Sequence, residues 1–248
     1  MNLICLGSSS SGNCYLLENE TECLILECGI KFAEVKKALD FNVGEIVGVV
    51  CSHQHGDHFG HAEEYLKSGI PVYAPEETHQ SLSKEYDAQK VVRCGYEYGI
   101  GNFKIYPFHA EHDVICFGYV IIHPDMGKLL FCTDSAFVKS SFKKLGLSHI
   151  LIEANYSEAV INDLLSKGLI DQSRVNRTFR THMSIETAKE FVRTNKTSSL
   201  DSIVLLHLSD GNSNAEEFQQ TIQDVVGDAV KVVVADKGVE LKLDLFPW

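Results

Sequence analysis

A stretch of six residues, HQHGDH at positions 53–58, constrains the fold of this chain more than any other part of the sequence. It directly follows the apolar run IVGVVCS, which predicts a buried strand. Alternate residues of an extended chain share a side, so His53 and His55 are expected to point into one pocket. A turn at the following glycine then directs Asp57 and His58 towards a neighbouring point. Imidazole and carboxylate groups suit zinc, manganese and iron, so the stretch predicts a metal site at a strand end.

Composition places the chain among ordinary globular proteins. It has 248 residues, of which 44% are hydrophobic and 23% charged, and this predicts a single domain spanning residues 1–248. No apolar run is long enough to cross a bilayer, and MNLICLGSSSSGN lacks the pattern of a signal peptide. We therefore expect a cytoplasmic protein without membrane association. The sequence identifies no protein partner.

The charge balance argues against non-specific binding to a polyanion. The formal net charge is −12 at pH 7, which two bound divalent cations would reduce to about −8. A nucleic-acid substrate is still compatible with this charge, because the local electrostatic field at the site, and not the net charge, determines whether a polyanion binds there. The eight cysteines include no CxxC pair, which predicts reduced, buried thiols and argues against a cysteine-based zinc knuckle.

Short apolar runs alternate with turn residues, and amphipathic segments stand between groups of such runs. Strands are expected at residues 3–7, 14–18, 23–29, 45–52, 70–74, 102–108, 114–122, 128–134, 148–154 and 202–209, with a closing pair at 230–235 and 239–243. Helices are expected at residues 31–39, 61–67, 76–84, 157–167, 184–194 and 214–226. This order predicts an α/β (α+β) fold of two mixed sheets with helices outside. No GxGxxG follows the first strand, which argues against a dinucleotide-binding fold.

The HQHGDH stretch resembles the HxHxDH motif of the metallo-β-lactamase fold superfamily, whose members place two metals at the edge of a four-layer αββα sandwich. Further motifs of that superfamily have counterparts in the right order. Glu27 closes the strand LILECG, where the family more often has Asp. FHAEHDV offers His109 and His112, of which His112 is the better match. Asp134 in LLFCTDSA and His207 in VLLHLSD complete the set.

The resemblance implies a dinuclear metal site. One ion is held by His53, His55 and His112, the other by Asp57, His58 and His207, and Asp134 is shared. Zinc or manganese is expected, with iron as a further candidate. Two ions about 3.5–4 Å apart can hold a bridging hydroxide as the nucleophile and stabilise a displacement at phosphorus. Glu27 is expected to accept a hydrogen bond from a ligand, and Asp57 to act in catalysis as well as in binding. His61, one helical turn further on, is expected to be uninvolved.

Finer features resemble the YycJ/WalJ-type branch of the superfamily, which consists of bacterial proteins described as DNA exonucleases. The segments that carry this resemblance are LGSSSSGNCYLL, HDVICFGY, ILIEANY, THMSIETA and LHLSDGNSN. The chain departs from the branch at Thr181, where the branch has Gly, at Asp210 and Gly211 before Asn212, and at Asn214. The resemblance implies a phosphodiesterase acting on nucleic acid, with DNA favoured, and more narrowly a 5′-end-directed exonuclease. A divergent member with altered specificity is the alternative.

The segment THMS predicts a substrate contact beside the metals. His182 and Ser184 stand just ahead of a predicted helix, whose N-terminal N–H groups suit a phosphate. By resemblance to nucleases of the superfamily, His182 is expected to contact the scissile phosphate or protonate the leaving oxygen. The alternative is that Ser184 only caps the helix while His182 packs against Glu186.

Two further segments are candidates for contact with phosphate. The serine-rich loop at residues 8–13 can aim N–H and hydroxyl groups at an anion, or it can be a plain flexible turn. Its candidate substrate-binding residues are Ser9, Ser11 and Asn13. The second segment carries three arginines on one helical face, which can meet a phosphate backbone or be solvated. They are Arg174, Arg177 and Arg180.

Two other functions use the same predicted site. A small-molecule hydrolase acting on a cyclic phosphate, lactone or thioester is favoured by the net charge of −12. A regulator or scaffold that keeps the metals for stability alone is the non-enzymic alternative. An enclosed pocket at the metals would favour the small-molecule hydrolase, and an open groove the nuclease.

Overall fold

The segments predicted as strands form two mixed sheets of seven strands each in the computed structural model, which describes residues 1–209 and 211–245. The first sheet contains β1 (Asn2–Ser9), β2 (Gly12–Glu18), β3 (Cys23–Leu26), β4 (Ile46–Val50), β5 (Val72–Ala74), β6 (Gln89–Val91) and β14 (Glu240–Lys242). The second contains β7 (Tyr98–Ile100), β8 (Phe103–Ala110), β9 (Cys116–His123), β10 (Gly127–Cys132), β11 (His149–Glu153), β12 (Ser202–Leu206) and β13 (Lys231–Val234).

The two sheets are built in the same way, each with an antiparallel half and a parallel half. The first has the order β14-β1-β2-β3-β4-β5-β6, antiparallel as far as β3 and parallel from β3 to β6. The second has the order β7-β8-β9-β10-β11-β12-β13, antiparallel as far as β10 and parallel beyond it. Parallel strands need crossover connections, and the helices supply most of these.

Eight α-helices and two short 3₁₀ helices lie within the described residues. The α-helices are α1 (Phe32–Ala38), α2 (Gly56–Phe59), α3 (Ala62–Lys67), α4 (Glu76–Gln80), α5 (Glu158–Ser166), α6 (Gln172–Thr181), α7 (Ile185–Asn195) and α8 (Ala215–Val226). The 3₁₀ helices span Val43–Glu45 and Lys143–Leu145. None of the helices described is long and apolar enough to cross a bilayer.

Three apolar clusters define the layers. Tyr15, Tyr119 and Phe131 belong to the cluster between the two sheets. A second cluster joins the outer face of the first sheet to α1 and α3, and a third joins the outer face of the second sheet to α7 and α8. The predicted αββα sandwich is therefore confirmed.

The central strands are buried on both faces, which explains why they are continuous apolar runs. In β2, Tyr15 faces the cluster between the sheets, and its neighbour Leu16 faces the cluster under the helices. On β12, Val204 likewise faces the cluster between the sheets, and its neighbour Leu205 faces the cluster under the helices. The middle of such a strand is apolar on both faces, and its few polar residues lie near its ends. A polar residue that closes one is therefore conspicuous.

Some local expectations need correction. The predicted closing pair of strands does not pair: β13 lies parallel to β12 in the second sheet, and β14 lies antiparallel to β1 in the first. The predicted serine loop is a tight hairpin in which Ser9 pairs with Gly12, so the strands take up all but Ser10 and Ser11. The edge strands β6 and β7 were not predicted, because each is short and largely solvent-facing and therefore forms no apolar run. Asp210 lies outside the described residues.

The eight cysteines are free thiols, and seven of them are buried, as the sequence predicts. Burial raises the pKa of the Cys5 thiol to about 12, so this group is protonated and unreactive near neutral pH.

Candidate metal centre

The residues predicted as metal ligands meet where the two sheets end at one edge of the sandwich. His53 and His55 follow β4, and the short helix α2 that comes next carries Asp57 and His58. The second sheet contributes three more side chains from the ends of its strands. They are His112 between β8 and β9, Asp134 after β10 and His207 after β12.

Three strand-ending residues at this edge have left-handed backbone conformations. The φ angle is 66° at Glu27, 43° at Asp134 and 55° at His207, and these are three of the five non-glycine residues with positive φ in the described chain. Such a conformation costs about 1–3 kcal/mol per residue and persists only where the surrounding structure enforces it. Strain of this kind concentrates at functional sites, and here it turns three side chains towards one point.

His53, His55, His112 and Asp134 form the first of three overlapping groups, called here the first cluster. The third group consists of Asp134, Glu153, His182 and His207. All four side chains of the first cluster can place a nitrogen or oxygen within 4.8 Å of the others. His55 Nδ1 lies 3.2 Å from His112 Nε2, and His53 Nε2 lies 3.9 Å from Asp134 Oδ2. These are the residues predicted to hold one ion together with the shared Asp134.

Asp57, His58, His207 and Asp134 form the second cluster. His58 Nε2 lies 3.4 Å from Asp57 Oδ2 and 3.3 Å from Asp134 Oδ2. His207 Nε2 lies 3.5 Å from Asp57 Oδ2. Asp134 belongs to both clusters, which is the position the sequence predicted for it.

These separations fit a shared cation better than hydrogen bonds. Two ligand atoms each about 2.0–2.1 Å from one ion, at the tetrahedral angle, lie about 3.4 Å apart. The 3.3–3.5 Å spacings of the second cluster match that value and exceed those of ordinary hydrogen bonds. Within the described residues, His53 Nε2 and His207 Nε2 are also buried without a hydrogen-bond partner. Buried polar atoms are rarely left unpaired, so the donor set fits a metal.

The electrostatics of the centre also call for cations. Four carboxylates surround it, those of Glu27, Asp57, Asp134 and Glu153, and within the described residues all their ion pairs are with histidines rather than lysine or arginine. Burial alone would raise the pKa of Asp134, but His207 and His58 hold it well below its usual range. In turn, against the effect of burial, Asp134 and its neighbours raise the pKa of His207 to about 10. Divalent ions would supply the same compensation at neutral pH.

Several ligand rings are oriented by a second contact. His112 Nδ1 lies 2.9 Å from the carbonyl oxygen of Thr181, and His53 Nδ1 lies 2.8 Å from Ser52 Oγ. Glu27 accepts hydrogen bonds from the N–H of Ser52 at 3.2 Å, and its carboxylate lies 3.7 Å from His58 Nδ1. Partners of this kind fix the tautomer and orientation of a metal-binding imidazole. The geometry is that expected for Glu27, whose role in metal binding stays a prediction.

Glu153 is a site residue that the sequence analysis did not identify. It closes β11, is fully buried, and accepts hydrogen bonds from the N–H groups of Ser135 and Met183 at 2.9 and 3.0 Å. Its carboxylate also lies 2.7 Å from His182 Nδ1 and 3.2 Å from His207 Nδ1. The signal was present in the sequence, because HILIE ends a buried apolar run with Glu just as CLILE does at Glu27.

His182 lies beside both clusters, at the outer side of the centre. Its ring centroid is 6.2 Å from that of His112 and 5.4 Å from that of His207, and its side chain is 23% exposed. Its hydrogen bond goes to Glu153, not to Glu186 as in the alternative considered above. Although burial opposes it, the Glu153 carboxylate raises the pKa of His182 above its usual value.

Two residues predicted to contact the substrate, Ser184 and Asn13, form hydrogen bonds within the fold. Ser184 is buried and caps α7 by accepting the N–H of Thr187 at 3.1 Å. Asn13 is also buried, and its Nδ2 donates to the carbonyl oxygens of Ser9 and Asp57 at 3.0 and 3.2 Å. Both side chains therefore shape the centre from within the fold. Their contact with a substrate stays a prediction, as does that of the exposed Ser11.

Two histidines lie outside the clusters. His109 is exposed on β8 with its ring against Phe117, so the structure brings His112 to the centre instead. His61 begins α3, and its Nδ1 lies 2.8 Å from Glu64 Oε1. It takes no part in either cluster, as expected from the sequence.

Gly29 provides a test of how the metal-binding loop is held. A Cβ atom at this position would lie 1.8 Å from the carbonyl oxygen of Asp57, a distance that forces the backbone of α2 to move. We expect Gly29→Ala to lower the free energy of unfolding by at least about 1–3 kcal/mol and to weaken metal binding. Gly44→Ala is the matched control, because nothing lies within 4 Å of a Cβ there. Equal effects of the two substitutions on denaturant unfolding and zinc affinity would contradict this account.

Comparison with known proteins agrees with this architecture. Residues 9–146 match the family model described as the metallo-beta-lactamase superfamily. This segment is more than half of the chain, and the chain belongs to the metallo-β-lactamase superfamily. The family predicted from HQHGDH is therefore confirmed. Its members are hydrolases that bind divalent metals, and the His/Asp clusters described above could hold such ions.

Individual relatives are distant. The chain is 24% identical over 238 residues to exodeoxyribonuclease WalJ of Streptococcus pneumoniae, covering 90% of this chain and 87% of the relative. Among solved structures, the metallo-β-lactamase fold protein YhfI from Bacillus subtilis is similar with a TM-score of 0.73, 17% identity and coverage of 97% and 98% of the two chains. Human tRNase Z, short form, is similar with a TM-score of 0.66, 17% identity and coverage of 99% and 100%. At these identities the structural matches show the fold alone.

Proposed function

We propose that this protein is a dinuclear metal-dependent phosphodiesterase acting on nucleic acid, with DNA as the favoured substrate and cleavage directed from the 5′ end. The observation that carries the proposal is His182, which is held by the buried carboxylate of Glu153 beside two clusters of metal-binding groups. Phosphodiester cleavage expels an alkoxide, which an acid beside the metals can protonate. The similarity to an exodeoxyribonuclease over most of the chain supports the choice of DNA.

The first and second clusters would hold one ion each, zinc or manganese, with Asp134 between them. When bound, the ions would lower the pKa of water and polarise the oxygens of a phosphoryl group. The chain's own contribution is to fix the ligands in place before substrate arrives. The left-handed backbone at Asp134 and His207 and the buried contacts of Glu27 serve that purpose.

Two exposed groups of the centre can act on the reacting atoms. His182 donates a hydrogen bond from Nδ1 to the Glu153 carboxylate. Its Nε2 is then free to hold a proton and pass it to the leaving oxygen. Asp57 has a carboxylate that is 21% exposed at the mouth of the second cluster, where it can orient an attacking water. An in-line displacement has one attacking and one leaving oxygen at phosphorus, and these two residues would each serve one of them.

The open form of the centre also supports a large substrate. The side chains of His55 and Asp113 are 33% and 35% exposed, so the first cluster reaches the surface. A small-molecule hydrolase on the same site is the second candidate, because a net charge of −12 opposes the approach of a polyanion.

The test removes bound metal from the protein with a chelator, reloads the protein with manganese or zinc, and measures hydrolysis of candidate substrates. We expect the reloaded protein to shorten 3′-labelled duplex DNA progressively, to release the label of 5′-labelled duplex DNA in the first cleavage, and to leave lactone and thioester reporters nearly untouched. Single-stranded DNA and RNA of the same sequence serve as comparison substrates. Rapid hydrolysis of a lactone or thioester without cleavage of any nucleic acid would contradict the proposal and favour the small-molecule hydrolase.

A further inference from the structure

Helix α6 forms one wall of a groove that opens beside the first cluster. The carbonyl oxygen of Thr181, its last residue, lies 2.9 Å from His112 Nδ1, so the helix is tied directly to a metal-binding ring. The groove has a volume of about 530 Å³ and reaches from this helix to Asp113. Asp113 Oδ1 in turn lies 3.5 Å from His55 Nε2 and 3.2 Å from His112 Nε2. The groove therefore adjoins the metal centre through Asp113 and Thr181.

The face that α6 turns to the groove is entirely polar. It consists of Gln172, Ser173, Asn176, Arg177, Arg180 and Thr181. Val175 lies on the opposite side of the helix and is buried against Ile161 of α5. Arg174 is about 60° from Arg177 around the helix but is not among the residues that line the groove. Of the three arginines singled out in the sequence, two therefore line the groove.

The ion pairs of the chain set the three arginines of α6 apart from the other two. The sequence has five arginines. Arg93 and Arg193, outside α6, are each within salt-bridge distance of a glutamate. In residues 1–209 and 211–245, none of Arg174, Arg177 and Arg180 has a carboxylate within 4.0 Å, although the chain has 34 acidic residues and 22 basic ones. Of these three, Arg177 and Arg180 line the groove. Asp113, the acidic residue of the groove, is directed at the histidines instead. Two exposed, uncompensated guanidinium groups beside a metal centre fit an anionic ligand.

We propose that Arg177 and Arg180 bind the backbone phosphate next to the scissile one, so that this groove selects a polynucleotide over a small phosphodiester. This inference rests on the proposed function. Guanidinium groups bind phosphate oxygens in bidentate fashion, and Ser173 and Asn176 add neutral donors of the kind that contact nucleic-acid backbones. Residues three apart on a helix are neighbours, so both arginines can reach one strand. A small diester fills the metal centre without extending into the groove.

The experiment compares the double variant R177Q/R180Q with R93Q/R193Q, a control that removes two glutamate-paired arginines elsewhere. Each protein, reloaded with manganese, is assayed with 5′-labelled duplex DNA and with bis(p-nitrophenyl) phosphate at several salt concentrations. For R177Q/R180Q we expect kcat/KM on DNA to fall about 10- to 100-fold, mainly through KM, since two phosphate contacts are lost. The dependence of log KM on log salt should become shallower by about 2. Turnover of the aryl diester should stay within about twofold of wild type.

Binding of a fluorescently labelled oligonucleotide by the same proteins separates this inference from the proposed function. If wild type cleaves DNA and R177Q/R180Q behaves like the control, the groove does not bind the substrate and the inference is wrong. If wild type binds the oligonucleotide through these arginines but cleaves no nucleic acid, the groove is a phosphate-binding site and the proposed function is wrong. If wild type neither binds the oligonucleotide nor cleaves nucleic acid, both the inference and the proposed function are wrong.

Discussion

Asp134→Ala is expected to lower phosphodiester turnover by at least about a thousandfold. Asp134 is the one residue that belongs to both the first and the second cluster, so its loss removes a ligand from each ion at once. Losing several kcal/mol of transition-state stabilisation by the metals corresponds to a factor of this size, at 1.36 kcal/mol per tenfold. Steady-state kinetics on duplex DNA, together with metal analysis of the purified protein, measures both consequences.

The variant must be shown to fold. Asp134 is buried, and Asp134→Asn keeps its shape while removing the charge, so the two variants are compared by thermal unfolding. Asp163→Ala on α5 is the control, because Asp163 pairs with Lys167 on the exposed side of that helix. Turnover that survives in a folded Asp134 variant would show that the clusters do not act as one centre.

His182→Ala is expected to slow cleavage of DNA by about 10²- to 10⁴-fold, the usual contribution of a general acid. The same change should affect bis(p-nitrophenyl) phosphate far less, since an activated aryl leaving group departs without a proton. The ratio of the two rates therefore reports acid catalysis rather than loss of structure. His61→Ala is the matched control, as His61 lies outside both clusters.

In the proposed mechanism Glu153 positions His182, although its carboxylate also lies 3.2 Å from His207 Nδ1. Glu153→Gln keeps its size but replaces an acceptor oxygen by a donor amide, which opposes the hydrogen bond from His182 Nδ1. We expect the same selective loss on DNA as for His182→Ala, with little further loss in the double variant, because the two residues form one unit. Additive losses, or equal losses on both substrates, would contradict this arrangement.

Much of the fold and of the metal centre could be predicted because their signals are local. The central strands are apolar on both faces, as Tyr15 and Leu16 of β2 show, and their runs stand out from the turns. Four candidate ligands follow one such strand within six residues. Candidate ligands from further along the chain, such as Asp134 and His207, were predicted only through the order of motifs in a known family. Their left-handed backbones depend on the packing around them.

The features that were missed depend on contacts between distant segments. Glu153 has its role because β11 lies beside β12, which brings it to His207. Asn13 looked like a loop residue, but the hairpin of β1 and β2 buries it beneath Asp57. Helix α6 carries a single buried apolar residue, Val175, so hydrophobic periodicity indicated it only weakly.

The most direct test of the account is anomalous diffraction at the zinc edge from crystals of the zinc-loaded protein. We predict two peaks about 3.5–4 Å apart, one among His53, His55 and His112 and the other among Asp57, His58 and His207, with Asp134 between them. A single peak, or two peaks that do not share Asp134, would contradict the dinuclear centre and the mechanism built on it.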